Sequence, residues 1–360
     1  MKNPNKNQVM AGTFAGCGVL LGLLAIALPA AAQTSPVPTP PYTIKVFAKG
    51  PAGTSQPDSI VQWGDHIIVG FENGVAKDGT DGKMTTRFGL ASSFCTAQRS
   101  SSPITRNPSL CPGTLKVRST FPLRENCAIV LDIHLNAGIK KQYKFPPTPL
   151  GGGYDDMVVK NGEVFMTASN PNLDTMGNNV FPALVRASLS GSSVLVEPVL
   201  DGNASATDIS TGTSVTLNLT DPDSLTIDPR GNILLDSQAD SELVFIRHPF
   251  TDEQKVGRLK ITSPVTGPMN ATITLDDTAF ATNPKAVLLV TDVGAGLIYR
   301  VDSGTFGFEP GTAYSASDTL GLVGTLNLDN GVVTPIVTGF GSARGLLFIT
   351  PDGDKDGDDK

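Results

Sequence analysis

Apolar positions in this chain come in short runs, broken by Gly, Asn, Asp and Pro, with no sustained helical period. The runs recur in pairs, and five stretches align: 57–74 (PDSIVQWGDHIIVGFENG), 153–171 (GYDDMVVKNGEVFMTASNP), 221–240 (DPDSLTIDPRGNILLDSQAD), 275–294 (LDDTAFATNPKAVLLVTDVG) and 341–353 (GSARGLLFITPDG). Four of them open on an acid followed by Ser or Asp, at Asp58, Asp155, Asp223 and Asp276; the fifth has Arg344 there. A short strand is expected next, then a turn at Gly64-Asp65, Asn161-Gly162, Arg230-Gly231-Asn232 or Asn283-Pro284-Lys285. Such turns supply the positive φ that tight hairpins need. A second strand follows that is almost continuously apolar, as in Ile67-Ile68-Val69 and Val287-Leu288-Leu289-Val290. Such a strand is covered on both faces.

Third strands are expected at 183–189, 243–248 and 297–301, placing Arg186, Arg247 and Arg300 at similar positions. Fourth strands are expected at 193–200 and 257–262. Four antiparallel strands per unit make one blade of a β-propeller. The interval from Asp58 to Asp155 is about twice a repeat of roughly 40–50 residues. It therefore implies a hidden unit ending near Lys141-Gln142-Tyr143-Lys144-Phe145. The fold class expected is all-β: a propeller of six four-stranded blades, with five and an incomplete sixth as the alternative, since few residues follow Arg344. A two-sheet sandwich is the competing architecture. Insertions are expected near 201–219 and 303–320. The strand at Tyr42–Ala48 is expected to close the ring against the last blade.

Composition fits this reading. Of 360 residues only 17% are charged, while 38 are Gly and 27 Pro. The net charge of −7 argues against a general nucleic-acid surface. Residues 1–32 read as a secretory signal peptide: Lys2 and Lys6, an apolar run from Val19 to Pro29, then Ala30-Ala31-Ala32. The expectation is a secreted or periplasmic protein with no membrane span after cleavage, and a monomer. An uncleaved anchor is the alternative. Residues 33–42 are expected as a Pro-rich linker, 43–350 as the propeller and 351–360 as an acidic tail. Residues 84–140 depart from the pattern and hold Cys95, Cys111 and Cys127, an odd number at a spacing unlike metal-ligand motifs. A shifted reading frame and a divergent blade with a long Ser-rich loop both explain that stretch. Poor order is expected there.

Standard catalytic motifs are absent: no H-E-x-x-H, G-x-S-x-G or P-loop. His66, His134 and His248 have no partner at ligand spacing. Carboxylates remain. Residues recurring at the start of inner strands ring the propeller axis, and converging carboxylates repel unless a cation neutralises them. Asp58, Asp155, Asp223 and Asp276 are therefore candidate ligands for a divalent cation, Ca²⁺ before others because the donors are all oxygen. Arg344 offers part of the same compensation. The competing reading is that each Asp caps a turn. Glu72, Asn73, Asn170, Asp236 and Asp292, at the ends of second strands, are candidate ligand-binding residues beside Arg344.

The 221–246 segment, DPDSLTIDPRGNILLDSQADSELVFI, resembles the repeat of the senescence-marker-protein/gluconolactonase/luciferin-regenerating family and also NHL repeats. The resemblance covers about 43–350, leaving out 84–140. It implies six blades and a divalent cation in the channel, held by a Glu, an Asn and an Asp at inner-strand starts. Asp223 matches the family aspartate; Asp155 falls where the family has Asn, and Asp58 near its Glu. The function implied is hydrolysis of lactones or related esters, with the cation polarising the carbonyl and Asp223 as the catalytic carboxylate. The alternative is a non-catalytic NHL-like propeller binding a small molecule or a protein. A quinone-holding electron-transfer propeller has no supporting signature.

Overall fold

In a computed structural model, the chain is described from residue 35 to 350, apart from 53–55, 64–65, 72–73, 80–83, 90–113, 118–128, 135–137, 147, 149–151, 190–193 and 268–271. The expected signal segment and acidic tail, the three later cysteines, Glu72 and Asn73 all lie outside the described residues. Among the described residues no helix is long and apolar enough to cross a membrane.

The strands, in chain order, are β1 (Val37–Pro38), β2 (Thr43–Lys49), β3 (Pro57–Trp63), β4 (His66–Phe71), β5 (Gly74–Gly79), β6 (Met84–Gly89), β7 (Thr114–Val117), β8 (Ile129–His134), β9 (Gly138–Lys144), β10 (Gly153–Lys160), β11 (Glu163–Ser169), β12 (Pro182–Ser188) and β13 (Leu195–Asp201). They continue with β14 (Ser205–Asp208), β15 (Ser214–Thr216), β16 (Pro222–Ile227), β17 (Ile233–Ser237), β18 (Glu242–Arg247), β19 (Lys255–Lys260), β20 (Asp277–Phe280), β21 (Val287–Asp292), β22 (Leu297–Asp302), β23 (Ala313–Ser317), β24 (Leu322–Leu326), β25 (Val333–Thr338) and β26 (Ala343–Ile349).

These strands form sheets of mostly antiparallel neighbours. The first has the order β3-β4-β5-β6, the second β7-β8-β9 and the third β10-β11-β12-β13. The fourth runs β16-β17-β18-β19 and is extended by β14 and β15. The fifth runs β20-β23-β24-β25-β1, and the sixth β26-β21-β22-β2. The leading strands adjoin in turn: β10 meets β16, β16 meets β20, β20 meets β26, and β26 meets β3. They are therefore the inner strands of an all-β, propeller-like arrangement.

The core is a series of apolar layers between neighbouring sheets, and strand alternation decides which layer each side chain joins. On β21, Leu288 and Val290 pack with Tyr314, Val323 and Val337 of the fifth sheet. Val287 and Leu289 pack with Ile60, Ile67 and Val69 of the first. On β17, Ile233 and Leu235 face the third sheet and Leu234 the fifth. This is why the second strands read as unbroken apolar runs. The β10–β11 hairpin turns through Asn161 and Gly162, at φ 52° and 81°, which is the conformation the Asn-Gly pair anticipates. On the third strand, Arg186 bridges Glu163 and Glu197 at 2.6 Å each and stacks 3.6 Å over Phe250.

Of three expectations, two change and one holds. First, β20 and β21 are not a hairpin. β20 pairs with β23, while β21 and β22 cross into the next sheet, whose inner strand is β26. The stretch near 303–320 is consequently not an insertion, since β23 is the second strand of the fifth sheet. The shortage of residues after Arg344 also disappears, because the sixth sheet takes two of its strands from earlier in the chain. Second, residues 201–219 do insert, as the β14–β15 hairpin, with β14 parallel to β19. Third, the linker region contributes β1, which pairs Val37 with Thr338. The closing strand is where the pattern puts it: β2 lies outermost in the sheet whose innermost strand is β26. Between Asp58 and Asp155, where a hidden unit is expected, β7–β9 form a three-stranded sheet among the described residues.

Candidate functional site

Inner strands that adjoin in turn bring their first residues together. Asp58, Asp223 and Arg344 stand in the opening residues of β3, β16 and β26; Asp276 immediately precedes β20, and Asp155 is the third residue of β10. Arg344 links two of the acids. Its Nη1 lies 3.0 Å from Asp58 Oδ1 and its Nε 3.7 Å from Asp276 Oδ1. The amide of Gln238, from the β17–β18 turn, donates to Asp276 Oδ1 at 3.2 Å. Asp276 is 8% exposed, whereas the Arg344 side chain is 36% exposed. The Arg344 side chain is thus half-exposed, with its Nε buried beside Asp276.

Electrostatics tie in further acids. Burial pushes the Asp276 carboxyl well above the ordinary range; Arg344 opposes this, and Asp223, Asp58 and Asp318 reinforce it. For Arg344 burial works against the charge, but Asp276, Asp58 and Asp318 outweigh it, so its pKa is raised. Asp221 is pushed up to about 6 by burial and by Asp223, while a hydrogen bond from Ser169 Oγ at 2.9 Å works the other way. Asn170 donates to that same Ser169 hydroxyl at 2.8 Å, so it acts one step behind the acid.

Asp221, Gln238 and Asp318 are the residues the sequence reading missed. The signal for Asp221 was present: in Asp221-Pro222-Asp223 two acids sit two apart, and residues two apart on a strand share a face. Gln238 and Asp318 come from turns that carry no recurring motif.

Two expected ligand-binding residues are bound into the fold. Asp292 is fully buried, and its carboxylate accepts the backbone N–H groups of Ala295, Gly341 and Ser342 at 2.9–3.1 Å. It fastens the β21–β22 turn to the loop that leads into β26. Asp236 is 2% exposed and takes a hydrogen bond from Ser224 Oγ at 3.2 Å.

Among the described residues no group of three or more His, Cys, Asp or Glu side chains is arranged to hold a metal ion. Ca²⁺ asks for six to eight oxygens around one point. Here the Arg344 guanidinium lies between Asp58 and Asp276, two of the four expected donors. The residues do not fit that ion.

No family model matches the chain, and no curated protein is similar to it. Solved structures are similar in fold. A gluconolactonase from Xanthomonas campestris aligns at a TM-score of 0.50 with 12% identity, over 88% of this chain and 92% of that one. A virginiamycin B lyase from Staphylococcus aureus, in an inactive form with quinupristin, aligns at 0.44 with 13% identity, over 86% and 96%. An aldose sugar dehydrogenase from Streptomyces coelicolor in its PQQ-bound form aligns at 0.44 with 12% identity, over 90% and 96%. The similarity is one of fold, an all-β propeller-like arrangement.

Proposed function

We propose that this chain is an exported, monomeric propeller of six blades, one of them the short β7–β9 sheet. In this reading it binds a small polar ligand at the channel mouth without a divalent cation. Asp58, Arg344 and Gln238 would make the contacts, with Asp276 buried behind Arg344. The observation that supports this is the half-open Arg344 bridging two acids on adjoining inner strands. A guanidinium and carboxylates facing one opening offer both donors and acceptors, which suits a hydroxyl-rich small molecule. Arg344 offsets part of the acids' charge, the part a bound cation would otherwise take.

The reading sets aside the metal-dependent hydrolysis of lactones that the family resemblance implies. The test is calorimetric titration with a panel of sugars, polyols and sugar lactones, in EDTA and then in Ca²⁺, together with elemental analysis of the purified protein. Binding unchanged by EDTA and lost in Arg344→Gln is the expected result. Stoichiometric Ca²⁺, with chelator-sensitive lactone hydrolysis that depends on Asp223, would overturn it and restore the hydrolase reading.

A further inference from the structure

Three residues of the ring, Asp155, Asp276 and Arg344, are each followed by one that touches the neighbouring sheet. At Asp155-Asp156 and Asp276-Asp277 that second residue is itself an acid. Asp156 is 6% exposed, and its Oδ2 accepts the N–H of Leu225 on the next inner strand at 2.7 Å. Asp277 is 3% exposed, and its Oδ2 accepts the N–H of Leu346 on its own neighbour, also at 2.7 Å. Both acceptors therefore grip a strand two residues beyond a mouth residue, Asp223 in one case and Arg344 in the other. A threonine on the second strand does related work. Thr167, which receives the N–H of Asp156 at 2.7 Å, donates to the carbonyl of Asp223 at 2.9 Å. Thr291 donates to the carbonyl of Asp58 at 2.7 Å. Where β26 meets β3 the second residue is Gly345, and a Cβ there would lie 2.6 Å from the Asp58 carbonyl oxygen.

We infer that Asp277, with Thr291 across the next junction, is a positioning residue for the mouth: the two fix the relative heights of β20, β26 and β3, and so hold Arg344 against Asp58. Asp156 and Thr167 do the same for Asp223. A backbone N–H held by a buried carboxylate is a short, charge-assisted contact with little play. A strand that slides by a fraction of its rise per residue carries its first side chain with it. The inference gives the second acid of each Asp-Asp pair a reason to exist apart from metal binding. It rests on the mouth being a binding site only for its importance, not for its test.

That test is a double-mutant cycle on Asp58 and Arg344, read from urea unfolding with no ligand present. In the native background the midpoint shifts of Asp58→Asn and Arg344→Gln are expected to be non-additive, because both remove one ion pair. In an Asp277→Ala background they are expected to add. Asp277→Asn, which keeps an acceptor oxygen, should restore the non-additivity. A role confined to stability would lower every midpoint and leave the non-additivity intact in Asp277→Ala, and that result overturns the inference. If Asp277→Ala does not fold, Thr291→Val carries the same test, since it removes a hydroxyl and leaves every carboxylate in place. Failure of the ligand panel with success of the cycle would reject the binding reading alone.

Discussion

At the scale of single residues, acids divide by what surrounds them rather than by type. Asp221 holds its proton to about pH 6 in the folded chain, against 3.8 without its surroundings. The folded state then binds that proton more tightly, so the carboxyl favours folding below about pH 4 and this contribution is lost as pH rises to about 6. Asp221→Asn removes the dependence. The urea midpoint of the variant should gain on the native protein between about pH 4 and 6 and keep a constant lead above that. Asp292 is the opposite case, a carboxylate with three backbone donors and no exposure. Asp292→Ala strands those N–H groups and should cost about 2–4 kcal/mol in urea unfolding. The sequence places both residues in the same category, polar ends of strand-like segments. Only the loop before β26, far along the chain, distinguishes them.

At the scale of elements, β-strands are legible here and their sheet membership is not. The run from Val287 to Val290 shows a doubly covered strand, and the structure has one. Nothing local says which sheet it joins, because its two faces are equally apolar. The natural guess is the hairpin partner a few residues upstream. The decision is made by distant aromatic packing: Phe308 lies 5.3 Å from Tyr314 and 5.0 Å from Phe348, joining the β22–β23 connection to β23 and β26. Asp223 was legible because it repeats; Gln238 was not, because a turn residue used once leaves no period. Close contact between elements is also testable. Gly345→Ala would push a methyl group into the β3 backbone, and the overpacking should cost about 1–3 kcal/mol in urea unfolding. The same change should weaken ligand binding by moving Arg344 away from Asp58.

At the scale of the whole molecule, the fifth and sixth sheets cannot form one after the other. Their strands alternate along the chain, and β1 and β2 close the outer edges of both. Such non-local pairing makes folding slow and all-or-none over that region. Amide hydrogen exchange should therefore show β20 to β26 opening as one unit together with β2. A fifth sheet that exchanges separately from the sixth would contradict this. Truncation before Ala343 should abolish cooperative unfolding of both sheets, rather than of the sixth alone.

Arg344 has a place in time as well as in space. Asp58, Asp221, Asp223, Asp276 and Asp318 all precede it in the chain, and β26 is the last of the described strands that a ribosome would make. Until then the growing polypeptide carries the acids of the mouth without the guanidinium that reconciles them. Like charges keep such a partial ring apart. The arrival of one late side chain sets an attraction to Asp58 and Asp276 against that mutual repulsion.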